Sequence, residues 1–347
     1  KSSRGGRIPP EEPVLQAVVF QGLAQPTNRA ALVIIAHPSL LASAPALAEH
    51  RRRQGLETMV VTIDAIYDEF NWGVREPEAV LTFLRFAWNQ WPMKPAYALL
   101  AGNGTYDYRN LLNKNDNLVP PLMVPTLYGL AASDTLFGEV QPGLPGPEIS
   151  IGRLPVLTPQ QLNAVISKII RYESAPLAAG KRALLVADNP DAAGDFVGDM
   201  NNLQAGLAGT FETATVFPPD LALMRSQIQS NLNRGSDLLC YLGHGAADRL
   251  GSQGYLTTAD TAVLANGARL PFLVAMTCLS GIFAEPAYNC LAESLLLDAT
   301  NGAIAVLSPT GLSLNPDATS LNLHLMKVLV EGAPEQRLGD LVRAAMV

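Results

Sequence analysis

The sequence predicts an α/β protein built from mostly parallel sheets covered by helices, and three observations predict it. Runs such as "ALVIIAH" (31–37) and "DLLCYLGH" (237–244) are apolar nearly throughout, as strands buried on both faces are. Longer amphipathic stretches lie between such runs, the order that produces crossover connections and a parallel sheet. At 347 residues, with 48% hydrophobic and 16% charged, the chain can also fill large cores.

The elements follow in two series. "ALVIIAH" (31–37), "TMVVTID" (58–64) and "AYALLAG" (96–102) are the strands of the first. Between the first two, "APALAEHRRRQGL" reads as a helix closed by Gly55, a residue that suits a helix stop. Between the next two, "EPEAVLTFLRFAWNQW" has Pro77 near its start and apolar residues at helical spacing. After a Pro/Gly-rich middle (104–148) comes the strand-like "EISIGRLPV". The helix "TPQQLNAVISKIIRYES" follows, with Thr158 as N-cap and Pro159 at its first position. The second series holds "RALLVAD" (182–188), "ETATVF" (212–217), "DLLCYLGH" (237–244), "FLVAMTC" (272–278) and "GAIAVLS" (302–308). Helical patterns separate them, including "DLALMRSQIQSNLNRG" and "NCLAESLLLDATNG". The break between the series falls near Ala175–Lys181. The expected division is a lead-in over 1–28, an α/β half over 29–178 and a second over 179–347.

Composition excludes several classes. A net charge of -7, from 24 basic and 31 acidic residues, argues against a nucleic-acid partner. The short basic runs at Lys1–Arg7 and Arg51–Arg53 read as solvated surface. "AGNGTYDYRN" follows a strand with glycines but has neither GxGxxG nor a Walker lysine, so nucleotide binding is poorly supported. Three cysteines without a CxxC pair make neither a disulfide framework nor a zinc site. No apolar run is long enough to cross a bilayer. The polar start without methionine, and a final helix without a stop, predict part of a longer polypeptide or assembly.

Two strands end in reactive side chains, His244 and Cys278. Working residues in open parallel sheets gather at the carboxyl ends of strands. If the two strands are neighbours, about 5 Å apart, thiol and imidazole come within reach of one another. Imidazolium favours thiolate, thiolate is the nucleophile, and the imidazole can then protonate a leaving amine. Gly243 and Gly245 flank the histidine and permit close approach of a substrate backbone. The amides of Gly245 and Cys278 are candidate oxyanion donors. Cys240 and Cys290 read as packing. His37, His50 and His324 read as structural or solvated, and Glu293 as a surface or helix-pairing residue.

Gly-His-Gly after a strand, then a strand ending in Thr-Cys with Ser-Gly-Ile-Phe beyond, resembles the gingipain-like cysteine peptidases (family C25, clan CD). "IYDEFNWGVREPEAVLTFLRFAWNQW", "AYALLAGNGTYDYRN", "VPTLYG", "ASDTLFG" and "EISIGRLPVLTPQQLNAVISKIIRYE" are similar to that family's first half, in its order. "LAESLLLDATNGAIAVLSPTG" is similar to the segment after its nucleophile. The likeness runs from about Ala30 to the end. It implies a caspase-like (caspase-hemoglobinase) fold in two subdomains, with catalytic His244 and Cys278 in the second. It implies a cysteine endopeptidase acting through a thioester acyl-enzyme on a protein or peptide substrate, in a secreted or cell-surface protein of a bacterium.

In that family an acidic residue in the loop after the second half's first strand supports the histidine. Here the loop is "VADNPDAAGDF", in which Asp188 is the first choice and Asp191 the alternative. A further acid of the region lines the pocket of arginine-cleaving members. Asp195 falls nearest to it, which implies substrate binding and a preference for Arg or Lys. The chain carries Asn103 where the family commonly has Asp, and lacks a tryptophan often found just after the histidine. No cofactor is expected, although Asp107 and Asp134 of the 103–148 loop could hold a structural calcium. The competing readings are a sortase-like transpeptidase using the same dyad and an inert interaction module of the same fold.

Overall fold

The computed structural model describes residues 20–176, 180–333 and 336–347. The first 19 residues, most of the expected lead-in, lie outside them, as does the expected boundary at 178/179.

In the first half, β1 (Leu32–Ala36), β2 (Thr58–Thr62) and β3 (Tyr97–Ala101) form where the apolar runs predict them. A hairpin of β4 (Met123–Thr126) and β5 (Gly129–Ala132) occupies the Pro/Gly-rich middle, and β6 (Ser150–Leu154) ends the series. The parallel sheet runs β2-β1-β3-β6. Its helices are α1 (Ala44–Arg53), α2 (Ile63–Phe70), α3 (Glu78–Gln90) and α4 (Pro159–Ser174). Alternation along β1 explains the two layers: Val33 and Ile35 pack with α2 and α3, whereas Leu32, Ile34 and Ala36 pack with α1 and α4. Thr158 caps α4 through the Gln161 amide and Pro159 opens it, as expected.

The second half contains β7 (Lys181–Ala187), β8 (Phe211–Val216), β9 (Leu238–Leu242), β13 (Phe272–Met276) and β14 (Ala305–Leu307). Between β9 and β13 lies a small antiparallel sheet of β10 (Gly245–Ala246), β11 (Arg249–Leu250) and β12 (Leu256–Thr257). The main sheet is parallel in the order β14-β13-β9-β7-β8. One face is covered by α5 (Phe196–Leu207), α8 (Asn315–Glu331) and α9 (Leu338–Ala345), the other by α6 (Leu221–Arg234) and α7 (Leu291–Leu297). Leu238, Cys240 and Leu242 of β9, with Phe272, Val274 and Met276 of β13, feed the α5/α8 core. Leu239, Tyr241, Leu273 and Ala275 feed the α6/α7 core.

The chain leaves β7 for β8 on one side and returns to β9 on the other. The crevice between β7 and β9 is therefore the switch point at which open α/β sheets take their ligands. The halves are tied by side chains. Tyr97 on β3 donates to Asp340 of α9, and Ser150 on β6 donates to the Gly339 carbonyl. Lys168 of α4 is fully buried and donates to the Leu296 carbonyl at 2.6 Å, and burial pushes its pKa down to about 8.

Candidate active site

Three adjacent strands, β7, β9 and β13, deliver the candidate residues at their carboxyl ends. Leu242 of β9 and Met276 of β13 are register partners, so His244 and Cys278 each stand two residues beyond one pair. Continued alternation sends both side chains to the α5/α8 face. Their contacts agree: the His244 ring meets Phe196 at the start of α5 edge-on at 5.4 Å, and the Cys278 Sγ meets Ser313 just before α8. The two segments touch as well. A Cβ on Gly245 would lie 2.3 Å from the Thr277 Oγ1, so only glycine fits there.

His244 is held by its backbone. Its amide donates to Asp188 Oδ2 at 3.1 Å, and its carbonyl accepts from the Tyr241 hydroxyl at 2.6 Å and the Gly251 amide at 2.8 Å. Asp188 is buried and also accepts from the Tyr255 hydroxyl at 2.6 Å and the Asn189 amide at 2.8 Å. Gly243, at φ +151°, makes the turn possible, because a Cβ there would sit 2.2 Å from the Asp188 Cβ.

This corrects the first choice for the residue supporting the imidazole. The ring Nε2 contacts Asp191 Oδ2 at 2.8 Å, not Asp188. Strand alternation is the reason: Ala187 faces the α5/α8 core, so the next residue faces the α6/α7 side and its tyrosines. Asp191 sits in a tight turn closed by mutual backbone hydrogen bonds with Gly194, and its Oδ1 accepts from the Ala193 amide at 2.8 Å. That amide, then the His244 contact, holds its carboxyl below the usual range. The alternative reading of the sequence is the one the geometry favours.

Cys278 follows β13 in a turn whose next residue, Leu279, has a left-handed φ of +60°. The amides of Leu279 and Gly281 donate to the carbonyls of Gly311 and Pro309, so the turn is laced to the loop before α8. In that loop the Ser313 amide donates to the Cys278 Sγ at 3.4 Å, while its hydroxyl donates to the Thr277 carbonyl at 2.5 Å. Ser313 and Phe196 were not foreseen: neither residue type announces a site, and only the tertiary fold brings them there.

The remaining candidates separate. Asp195 is exposed at the N-cap of α5, its Oδ1 accepting from the Gly198 amide at 2.9 Å. It caps a helix one residue before the Phe196 that touches His244. Asp107 accepts from the Leu111 and Leu112 amides, and Asp134 is bonded to both Arg153 Nε and Nη2. Both carboxylates are thus engaged by protein donors. Among the described residues no cluster of three or more His, Cys, Asp or Glu side chains could hold a metal. Asn103 is buried with its Oδ1 unpartnered, while its backbone carries the Leu118 and Val119 amides.

Glu293 is buried, contrary to the surface reading, with Oε2 accepting from the Cys290 amide at 2.9 Å, and burial pushes its carboxyl up to about 7. His50 is buried and paired with Glu173 at 2.7 Å, because Arg51 and Gln54 gather on the same carboxylate. His37 is partly buried and bonded to Ser39, and His324 is exposed on α8.

Cys240 is fully buried against Asn322, its thiol pushed up to about 12 by burial, and Cys290 is equally enclosed. Cys278 is partly exposed. Iodoacetamide on the folded protein is therefore expected to modify Cys278 and spare the other two, read by peptide mass spectrometry. Equal labelling of all three would contradict this packing.

Thiol and imidazole on neighbouring parallel strands, at the carboxyl edge of a helix-covered sheet, define the caspase-like α/β class. Within that class the chain belongs to peptidase family C25, whose family model matches residues 25–347. The complex of the pro- and mature domains of RgpB from Porphyromonas gingivalis is similar at 19% identity and a TM-score of 0.74, over 92% of this chain and 74% of that one. The crystal structure of the Arg-specific cysteine proteinase gingipain R (RgpB) is similar at 18% and 0.75, over 92% and 72%. A structure named a protease matches at 17% and 0.66, over 86% of this chain and 62% of that one. No curated protein sequence matches the chain. At these identities the solved structures carry the fold, and the family carries the class of cysteine peptidase.

Proposed function

We propose that the chain is a cysteine endopeptidase in which Cys278 is the nucleophile, His244 the acid-base and Asp191 the residue orienting the imidazole. The observation carrying this is the delivery of His244 and Cys278 by register-paired strands to one face, with Asp191 on the ring. With Asp191 ionised, Nε2 bears the ring hydrogen and Nδ1 is the basic nitrogen. As Sγ attacks a peptide carbonyl, the imidazole takes the thiol proton, and the developing oxyanion is met by the amides of Cys278 and Gly245. The imidazolium then protonates the departing amine and a thioester forms. Water resolves it, with the imidazole as base. Asp188 keeps the histidine's main chain in place and does not touch the ring.

The finer reading adds a preference for Arg or Lys before the cut, supported by the exposed carboxylate of Asp195 beside Phe196. Among the described residues no helix is long and apolar enough to cross a membrane. On family likeness, the setting is secreted or cell-surface in a bacterium, within a longer polypeptide. A positional peptide library read by mass spectrometry tests the reading. Hydrolysis after Arg or Lys is the expected result. Cleavage after acidic or bulky apolar residues removes the Asp195 role, and no thiol-dependent cleavage of any peptide removes the endopeptidase.

A further inference from the structure

The seven residues of α7 bond both loops that carry the dyad. The Leu291 amide donates to the Ala247 carbonyl at 2.8 Å, three residues past His244. The next amide, of Ala292, donates to the Ser280 carbonyl at 3.0 Å, two residues past Cys278. Two consecutive N–H groups of a first helical turn, which lack partners within the helix, thus join the histidine loop to the cysteine loop. What fixes that turn is Glu293: its carboxylate reaches back to the Cys290 amide at 2.9 Å, a capping box in which Cys290 stands at the cap. The Ser294 hydroxyl donates to the Cys290 carbonyl at 2.9 Å and closes the turn from the other side. The far end is anchored too, since the Leu296 carbonyl accepts from buried Lys168.

We infer that Glu293 is a positioning residue for the dyad: by locking the first turn of α7 it sets the spacing between the His244 and Cys278 loops. A carboxylate buried to 2% exposure has no need to be there for solubility. Its bond to a helix-start amide is the geometry that aims the two following amides. The inference rests on the reading of His244 and Cys278 as the dyad.

The test compares Glu293→Ala with Glu293→Gln in the full chain. Misplacement of reacting groups by an ångström costs up to about a hundredfold in rate. Glu293→Ala is therefore expected to lower kcat by roughly ten- to a hundredfold, with KM little changed. Glu293→Gln keeps an acceptor for the Cys290 amide and is expected to restore most of kcat. Hydrogen exchange is expected to quicken together over 245–250 and 278–283 in the alanine variant, and the rate of Cys278 alkylation to change with it. Wild-type kcat and wild-type exchange in a folded Glu293→Ala, exchange quickened in α7 alone, or a loss that Gln does not repair would each overturn the inference. Should alanine prevent folding, Glu293→Asp, too short to reach the same amide, is judged by the same readouts. If the wild-type chain cleaves no peptide, the exchange arm still decides. Quickening of both loops then supports the clamp while the peptidase reading falls, and quickening of neither sinks the clamp itself.

Discussion

Replacing Cys278 with alanine removes peptide cleavage, with an expected fall of at least ~10⁴-fold in kcat. No other thiol can substitute, because Cys240 and Cys290 are both at 0% exposure. Nor does the loss come from unfolding. The hydrogen bonds of the Cys278 sulfur among the described residues are to the backbone of Ser313, at 3.4 Å from its amide nitrogen and 3.6 Å from its carbonyl oxygen, and the turn around it is held by main-chain bonds. The variant should therefore unfold within about 1 kcal/mol of the wild type, as substitutions outside the packed core do. The measurement is turnover of a cleavable peptide beside a denaturation curve. A well-folded Cys278→Ala that still cleaves would show that the chemistry lies elsewhere.

The largest stability effect is expected at Arg153. Its guanidinium, 6% exposed, grips both oxygens of Asp134 at 2.6 and 2.7 Å. Its Nη1 donates to the carbonyls of Gly102 and Val119, and its plane lies 4.7 Å over the Phe283 ring in the loop after Cys278. Arg153→Leu leaves a carboxylate and two carbonyls without that donor, which costs about 3–5 kcal/mol. Adding Asp134→Leu removes the abandoned charge and should recover much of the loss, since a buried pair replaced by apolar residues is often neutral. Urea unfolding of the single and double variants reads both. A single variant within about 0.5 kcal/mol of wild type would mean that the pair contributes almost nothing.

Much of this architecture was legible because parallel strands covered on both faces are apolar throughout. β1, β9 and β13 fall within the expected runs and are buried throughout, and β7 starts one residue before its run with its last five residues buried. His244 and Cys278 were legible for the same reason: a polar residue that ends such a run stands at the sheet's carboxyl edge. The hairpin β4–β5 was not, because four-residue strands containing Pro125 and Gly129 carry little pattern. Helix α2 was missed because it starts directly where β2 stops, Thr62 serving both as the last strand residue and as the N-cap. Asp188 was misjudged although the information was present. Counting alternation along β7 past Ala187 sends its side chain away from the imidazole. Glu293 could not be placed from sequence, since acids in a first helical turn are common at the surface and only the tertiary fold buries this one.

His244 is gripped from one side of its sheet and presents its ring on the other. Tyr241 and Tyr255, which fix its main chain directly and through Asp188, belong to the α6/α7 core, whereas the ring leans on Phe196 of the opposite core and on an acid in an open turn. Mutational drift in that turn can retune the tool without loosening the vice. On the proposed reading, one carboxylate acceptor in that turn can be exchanged for another while the bonds that hold the histidine's main chain stay in place.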